Sequence, residues 1–125
     1  MVKYYTPADL GMSAVAVTTT SNPISLEGAK KVTLRLTRTL HSSGSTAFTV
    51  TGSIDGDNFT ALNNIVTDVT NTNAQTQTRV ASVSLASDTS QFVNLDLTFY
   101  TLKFIKVVAT RTTDGSATVA ATVEL

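Results

Sequence analysis

Apolar residues along this chain recur mainly at every second position, the period of a strand with one buried and one solvated face. Val32, Leu34 and Leu36 alternate with Thr33, Arg35 and Thr37. Phe48, Val50, Gly52 and Ile54 share a face after the polar loop His41-Ser42-Ser43-Gly44-Ser45, with Thr49, Thr51 and Ser53 opposite. Asp55-Gly56-Asp57-Asn58 then predicts a tight turn into Phe59 and Ala61. A four-residue loop there sets Ile54 opposite Phe59 and Gly52 opposite Ala61, so the apolar faces coincide. Earlier, residues 13–19 alternate with Val15 and Val17 on one face, Ser21-Asn22-Pro23 interrupts, and Ile24 and Leu26 resume the pattern.

Further strands are predicted at 65–69, at Ala81, Val83 and Leu85, and at 92–97, with a turn at Ser87-Asp88-Thr89-Ser90 and an exposed polar loop over 70–77. The segments 102–110 and 117–125 flank Thr113-Asp114-Gly115, which suits a three-residue hairpin loop with Gly115 left-handed. That register pairs Ile105 with Val123, Val107 with Ala121 and Ala109 with Val119. Residues 1–11 carry Tyr4, Tyr5, Pro7 and Gly11 without periodicity and are expected to form an N-terminal arm, with 12–125 as the folded domain. About eight short strands separated by turn residues predict a single all-β domain, a two-sheet antiparallel sandwich of the jelly-roll kind.

Composition agrees with the pattern. The chain has 125 residues with 24 Thr and 14 Val, types that favour pleated sheets, and only two Glu. Nine basic and nine acidic side chains cancel to zero net charge, which argues against nucleic acid as a partner, since phosphate binding needs a cationic excess. No run approaches the ~20 apolar residues needed to cross a bilayer as a helix, so no membrane partner is expected. The first residues lack the apolar stretch of a secretion signal, and the protein is expected to be made and used without passing through the secretory pathway. With no cysteine and a single histidine, disulfides, thiol catalysis and multi-histidine metal sites are excluded.

Candidate chemistry is thin. His41 beside Ser42, Ser43 and Ser45 has the residue types of a nucleophile and base, but no Gly-x-Ser-x-Gly elbow exists and a solvated loop explains it better. Asp55, Asp57 and Asn58 bring three oxygen-bearing side chains into four residues, the beginning of a calcium loop; a tight turn demands the same residue types for backbone reasons. Arg35 and Arg38, with Lys30 and Lys31, make a candidate basic stripe for an acidic partner, against which stands an ordinary solvated face. Tyr4, Tyr5 and Tyr100 combine a ring with a polar tip and suit either a protein surface or a sugar. The candidate interface residues are therefore Tyr4, Tyr5, Pro7, Arg35 and Arg38. No enzyme activity and no cofactor are expected.

Two local segments carry a resemblance: Thr51-Gly52-Ser53-Ile54-Asp55-Gly56-Asp57-Asn58-Phe59, and later Leu102-Lys103-Phe104-Ile105-Lys106-Val107. A strand that ends in Ser-x-Asp-Gly and turns into an aromatic, with a late apolar-basic strand, resembles the small accessory capsid proteins of tailed bacteriophages, head decoration proteins among them. It is also similar to the discoidin-like, galactose-binding sandwich modules, which usually carry tryptophans near the motif and often a disulfide, both absent here. The phage resemblance implies a virion structural protein on the capsid surface, bound to the major capsid protein lattice as a homo-oligomer, with a trimer suiting three-fold positions. The alternatives are a carbohydrate-binding module for adhesion and a component of the tail or fibre.

Overall fold

In the computed structural model, which describes residues 1–67, 78–98 and 100–125, two antiparallel sheets pack face to face as a β-sandwich. In chain order the elements are β1 (Val2–Tyr5), a helical turn α1 (Pro7–Leu10), β2 (Thr19–Thr20), β3 (Ile24–Ser25), β4 (Lys31–Thr39), β5 (Gly44–Ser53) and β6 (Thr60–Ala61). Then follow β7 (Ile65–Val66), β8 (Arg79–Val80), β9 (Ser82–Leu85), β10 (Thr89–Leu95), β11 (Phe104–Thr113) and β12 (Ser116–Glu124). One sheet runs β1-β12-β4-β10-β7-β8; the other runs β2-β11-β5-β6, with β3 on β11 and β9 on β5. The strand number exceeds the expected eight because β2, β3, β6, β7 and β8 are two-residue ladders.

Three chain reversals build the core, and none of them is a hairpin. β4 lies in one sheet and β5 in the other; β9 and β10 are split the same way, and so are β11 and β12. Each pair is an arch that bridges the sandwich. The arches stack in one order on both walls, so β4 pairs with β12 and β10 while β5 pairs with β11 and β9. The predicted hairpin between 102–110 and 117–125 is thus corrected. Ile105, Val107 and Ala109 do line the core with Val119, Ala121 and Val123, but from opposite walls. β11 instead pairs with β5 over ten residues, setting Val107 against Val50 and Ala109 against Phe48. Inward orientation of all these residues was correctly implied by alternation, and both arrangements satisfy it.

Strand parity holds through the central elements: Val32, Leu34 and Leu36 of β4, Phe48 and Val50 of β5, Val93 and Leu95 of β10 are all buried. The ends depart from it. Ser53 terminates β5 because its hydroxyl accepts the amide protons of Asp55 (3.2 Å) and Gly56 (2.8 Å), and Ile54 swings into solvent, 68% exposed. The register with β6 is therefore Thr51 opposite Ala61 and Gly52 opposite Thr60, one residue from the expected pairing. Val17 is likewise exposed, because the segment after Val15 crosses from β12 in one sheet to β11 in the other. Thr89 and Ser90, expected in a turn, begin β10. Of the predicted 65–69 strand, Ile65 and Val66 form β7; the expected loop over 70–77 lies outside the described residues.

Residues 1–11, expected as an N-terminal arm, lie on their own domain. β1 pairs with β12 from Val2 opposite Glu124 to Tyr5 opposite Ala121. Thr6 then caps α1 reciprocally with Asp9, the Thr6 hydroxyl accepting from the Asp9 amide and the Asp9 carboxylate from the Thr6 amide. Gly11 ends the turn in the left-handed conformation, and Leu10 and Met12 insert fully into the core. Met12 and Val15 continue along β12 through backbone bonds to Val119 and Ala117. The edge of β12, which would otherwise template pairing with another chain, is covered.

Candidate docking face

The residue types singled out for chemistry first find their places at the arch end of the sandwich. Arg38 continues the inward parity of Val32, Leu34 and Leu36, and is 0% exposed. It is no part of a surface stripe, which corrects its placement among the interface candidates. Its Nη1 donates to Thr46 Oγ1 (2.7 Å) and to the Asp114 carbonyl (2.8 Å); its Nη2 donates to the Ser43 carbonyl (2.9 Å) and pairs with Asp114 Oδ1 (2.8 Å). The Asp114 carboxylate also accepts from the Ser42 and Ser43 amides and the Ser43 hydroxyl. Burial pushes that carboxyl up, but the Ser43 and Ser42 donors and the Arg38 charge outweigh it and leave it below the usual carboxylate range.

His41 belongs to the same cluster. Its Nδ1 accepts from Arg38 Nη2 (3.0 Å), which puts the ring proton on Nε2, and its amide donates to Asp88 Oδ1 (2.8 Å) in the β9–β10 arch. All three arches are thereby tied together. Ser43 spends its hydroxyl on Asp114 rather than on His41, so these two side chains do not form a nucleophile–base pair.

Asp55 is similarly occupied. Its carboxylate accepts from the Ser53 hydroxyl, the Asp57 and Asn58 amides and the Asn58 side-chain amide, each at 2.9 Å, and these donors hold its pKa far below the ordinary value. Asp57 contributes only its backbone, and Asn58 aims a donor at the carboxylate. Among the described residues no three acidic or histidine side chains gather as a metal site. The arrangement is that of an Asx-type turn.

The outer face of the sheet containing β4 is open to a partner. Cross-strand register sets Tyr4, Thr122, Thr33 and Asn94 in one row, and Ala120, Arg35 and Phe92 in the next. Tyr4 and Phe92 are each 58% exposed, and Arg35 is exposed between their strands. A shallow trough of ≈ 210 Å³ is bounded by Tyr4, Arg35 and Phe92 over a floor that includes Thr33, Ala120 and Thr122. Tyr4 and Phe92 stand three strands apart, about 14 Å measured across the strands at the usual spacing, and one row apart along them. The Thr33 hydroxyl donates to Asn94 Oδ1 (2.8 Å), fixing both side chains.

The five interface candidates are thus dispersed. Tyr4 and Arg35 come together on this face. Tyr5 points to the opposite side of β1, half-buried against the core with Lys3 Nζ 4.8 Å above its ring, and Pro7 opens α1. Phe92, absent from the candidates, was legible in principle: it lies out of phase with Val93 and Leu95. Tyr100, the third tyrosine, is exposed beside another cleft, away from the trough. A larger recess of ≈ 480 Å³ includes Lys30, Lys31 and Arg79, but Arg79 is already paired with Asp96.

No family model and no curated protein matches the sequence. A solved structure does match in three dimensions. The chain shares its fold with the SPBc2 prophage-derived protein YomS. The superposition has a TM-score of 0.67 and covers 98% of this chain and 92% of that one, at 14% sequence identity. Nearly the whole sandwich is common to both proteins.

Proposed function

We propose that this chain is a non-enzymatic structural protein of a phage particle, a capsid decoration or head accessory protein that binds the major capsid protein lattice and stabilises the shell. The observation that carries this reading is the Tyr4–Arg35–Phe92 face, a set of anchoring side chains displayed on paired strands of a sandwich whose fold is shared with a prophage-derived protein. The cluster of Arg38, His41, Ser43 and Asp114 supports it too, since those groups bond one another and hold the arches together.

The mechanism is linkage. A protein that binds the assembled shell and not its dissociated subunits stabilises the shell by RT ln(1 + [L]/Kd) per site, and repetition over the lattice multiplies a modest contact. A sheet face pays little ordering entropy on docking, because its strands are already paired with one another. Self-association into a homo-oligomer, a trimer at three-fold positions, would add avidity.

Co-sedimentation with empty shells, followed by electron microscopy of the particles, tests the proposal. Saturable binding at one symmetry-related position on the head is expected. Density on the tail would move the protein to a tail or fibre role, and no association with any particle would defeat the virion reading.

A further inference from the structure

The trough on the outer sheet face has a chemistry that specifies what enters it. We infer that it receives a segment of a partner protein presenting a carboxylate between apolar side chains, an inference that rests on the virion reading above. Arg35 sets the charge. The buried Arg38 meets Asp114 and Arg79 meets Asp96, while Arg111 donates to the Ala16 carbonyl. Among the described residues no carboxylate lies within 4.0 Å of Arg35. On the same face Lys31 has Glu124 opposite it in register, whereas the residues opposite Arg35 are Ala120 and Phe92, neither of them a carboxylate. An incoming carboxylate is the group that a guanidinium fork binds in two-point fashion.

The two rings set the rest of the occupant. Tyr4 and Phe92 are more than half exposed on either side of Arg35, on rigid strands, and can each cover an apolar side chain. Tyrosine, arginine and phenylalanine around one depression is the composition enriched in the centres of protein interfaces. A sugar is favoured less, because it needs several directional partners. Here the Thr33 hydroxyl proton is committed to Asn94 and Ala120 offers none, which leaves the Thr122 hydroxyl and the tips of Tyr4 and Arg35 as the polar groups. The trough is also small, with room for about one or two side chains rather than an oligosaccharide.

The test is co-sedimentation of the full chain with empty shells, comparing wild type with Arg35→Glu, Arg35→Gln, Phe92→Ser and, on the opposite sheet's outer face, Ser84→Glu. Thermal melts check that each variant is folded; should Arg35→Glu fail, the neutral Arg35→Gln carries the comparison. Arg35→Glu and Phe92→Ser are expected to bind at least about tenfold more weakly and Ser84→Glu as wild type does. Wild-type binding should weaken with salt more steeply than that of Arg35→Gln. An acid-to-lysine change in the shell protein should restore Arg35→Glu. Equal binding by wild type and Arg35→Glu overturns the trough and leaves the virion reading standing, whereas no binding by wild type removes both. Arg35-dependent self-association, or Arg35-dependent retention on a glycan array, overturns the inference by assigning the trough to a second copy or to a sugar.

Discussion

The Arg38 guanidinium lies against the Cα of Gly115. A Cβ built on Gly115 would sit 2.5 Å from Nη1 and 2.7 Å from Cζ, and the residue has φ +94°. The end of β4 and the β11–β12 arch therefore have a shared requirement: a large buried cation on one, no side chain on the other. Gly115→Ala combines a disfavoured backbone with a clash against a side chain that hydrogen bonds hold in place, and is expected to cost about 2 kcal/mol or more. Arg38→Met leaves the Asp114 and Ser43 carbonyls and the Thr46 hydroxyl without their donor, and is expected to cost about 3 kcal/mol. Urea denaturation measures both. A loss under about 0.5 kcal/mol for either would show that the arches are not held there.

Acid sensitivity follows from the same contacts. Burial raises the Asp96 carboxyl, but bonds from Thr98 and Arg79 outweigh it, and its pKa lies below the ordinary value, as does that of Asp114. A carboxyl depressed in the folded state contributes stability above its unfolded pKa, about 3.9, and loses it as pH falls through the folded value. The contribution of these two carboxyls to the melting temperature should be nearly flat from neutral pH to about 5 and fall below about 4. Asp114→Asn should lower the plateau and flatten the acid limb; circular dichroism melts across pH report both.

Removing residues 1–10 deletes β1, breaks the Thr6–Asp9 cap and empties the place of Leu10, which is fully buried. Leu10→Ala alone is expected to cost about 2–5 kcal/mol. The truncated chain should be less stable still and prone to associate through the uncovered β12 edge. Denaturation and light scattering test this, and an unchanged, monomeric truncation would show that the segment is dispensable.

The Asp55 turn offers a separate check. Asp55→Ala removes an acceptor used by four donors and should lower the melting temperature, with amide exchange rising at Asp57 and Asn58. Millimolar calcium should leave the wild-type melt unchanged, because those donors already surround the carboxylate. A calcium-dependent rise would show that the turn opens to bind the ion.

Legibility of the fold and the face varied with the range of the interaction. Alternation in Val32, Leu34 and Leu36 reports which side of β4 faces inward and, carried one step further, assigns Arg38 to the interior; the phase of Val93 and Leu95 in β10 likewise assigns Phe92 to the surface. A cationic side chain reads as solvated until its partners are known. Those partners, Ser43, Thr46 and Asp114, come from two arches, and Asp114 is 76 positions away in the chain. The end of β5 was misjudged for a smaller reason, a serine hydroxyl bonding two amides ahead of it.

By itself the sequence determined the all-β class and the inward faces of the long strands, because period-two burial is a local property. Only the tertiary structure decided which wall each strand joined. Hairpin and arch place Ile105, Val107 and Ala109 equally inward beside Val119, Ala121 and Val123, so burial cannot separate them. The choice falls to backbone pairing with β4 and β5 and to the Arg38–Asp114 contact, both of which join positions far apart in the chain. The docking face arises in the same way, as Tyr4, Arg35 and Phe92 become neighbours only once β1, β12, β4 and β10 lie side by side.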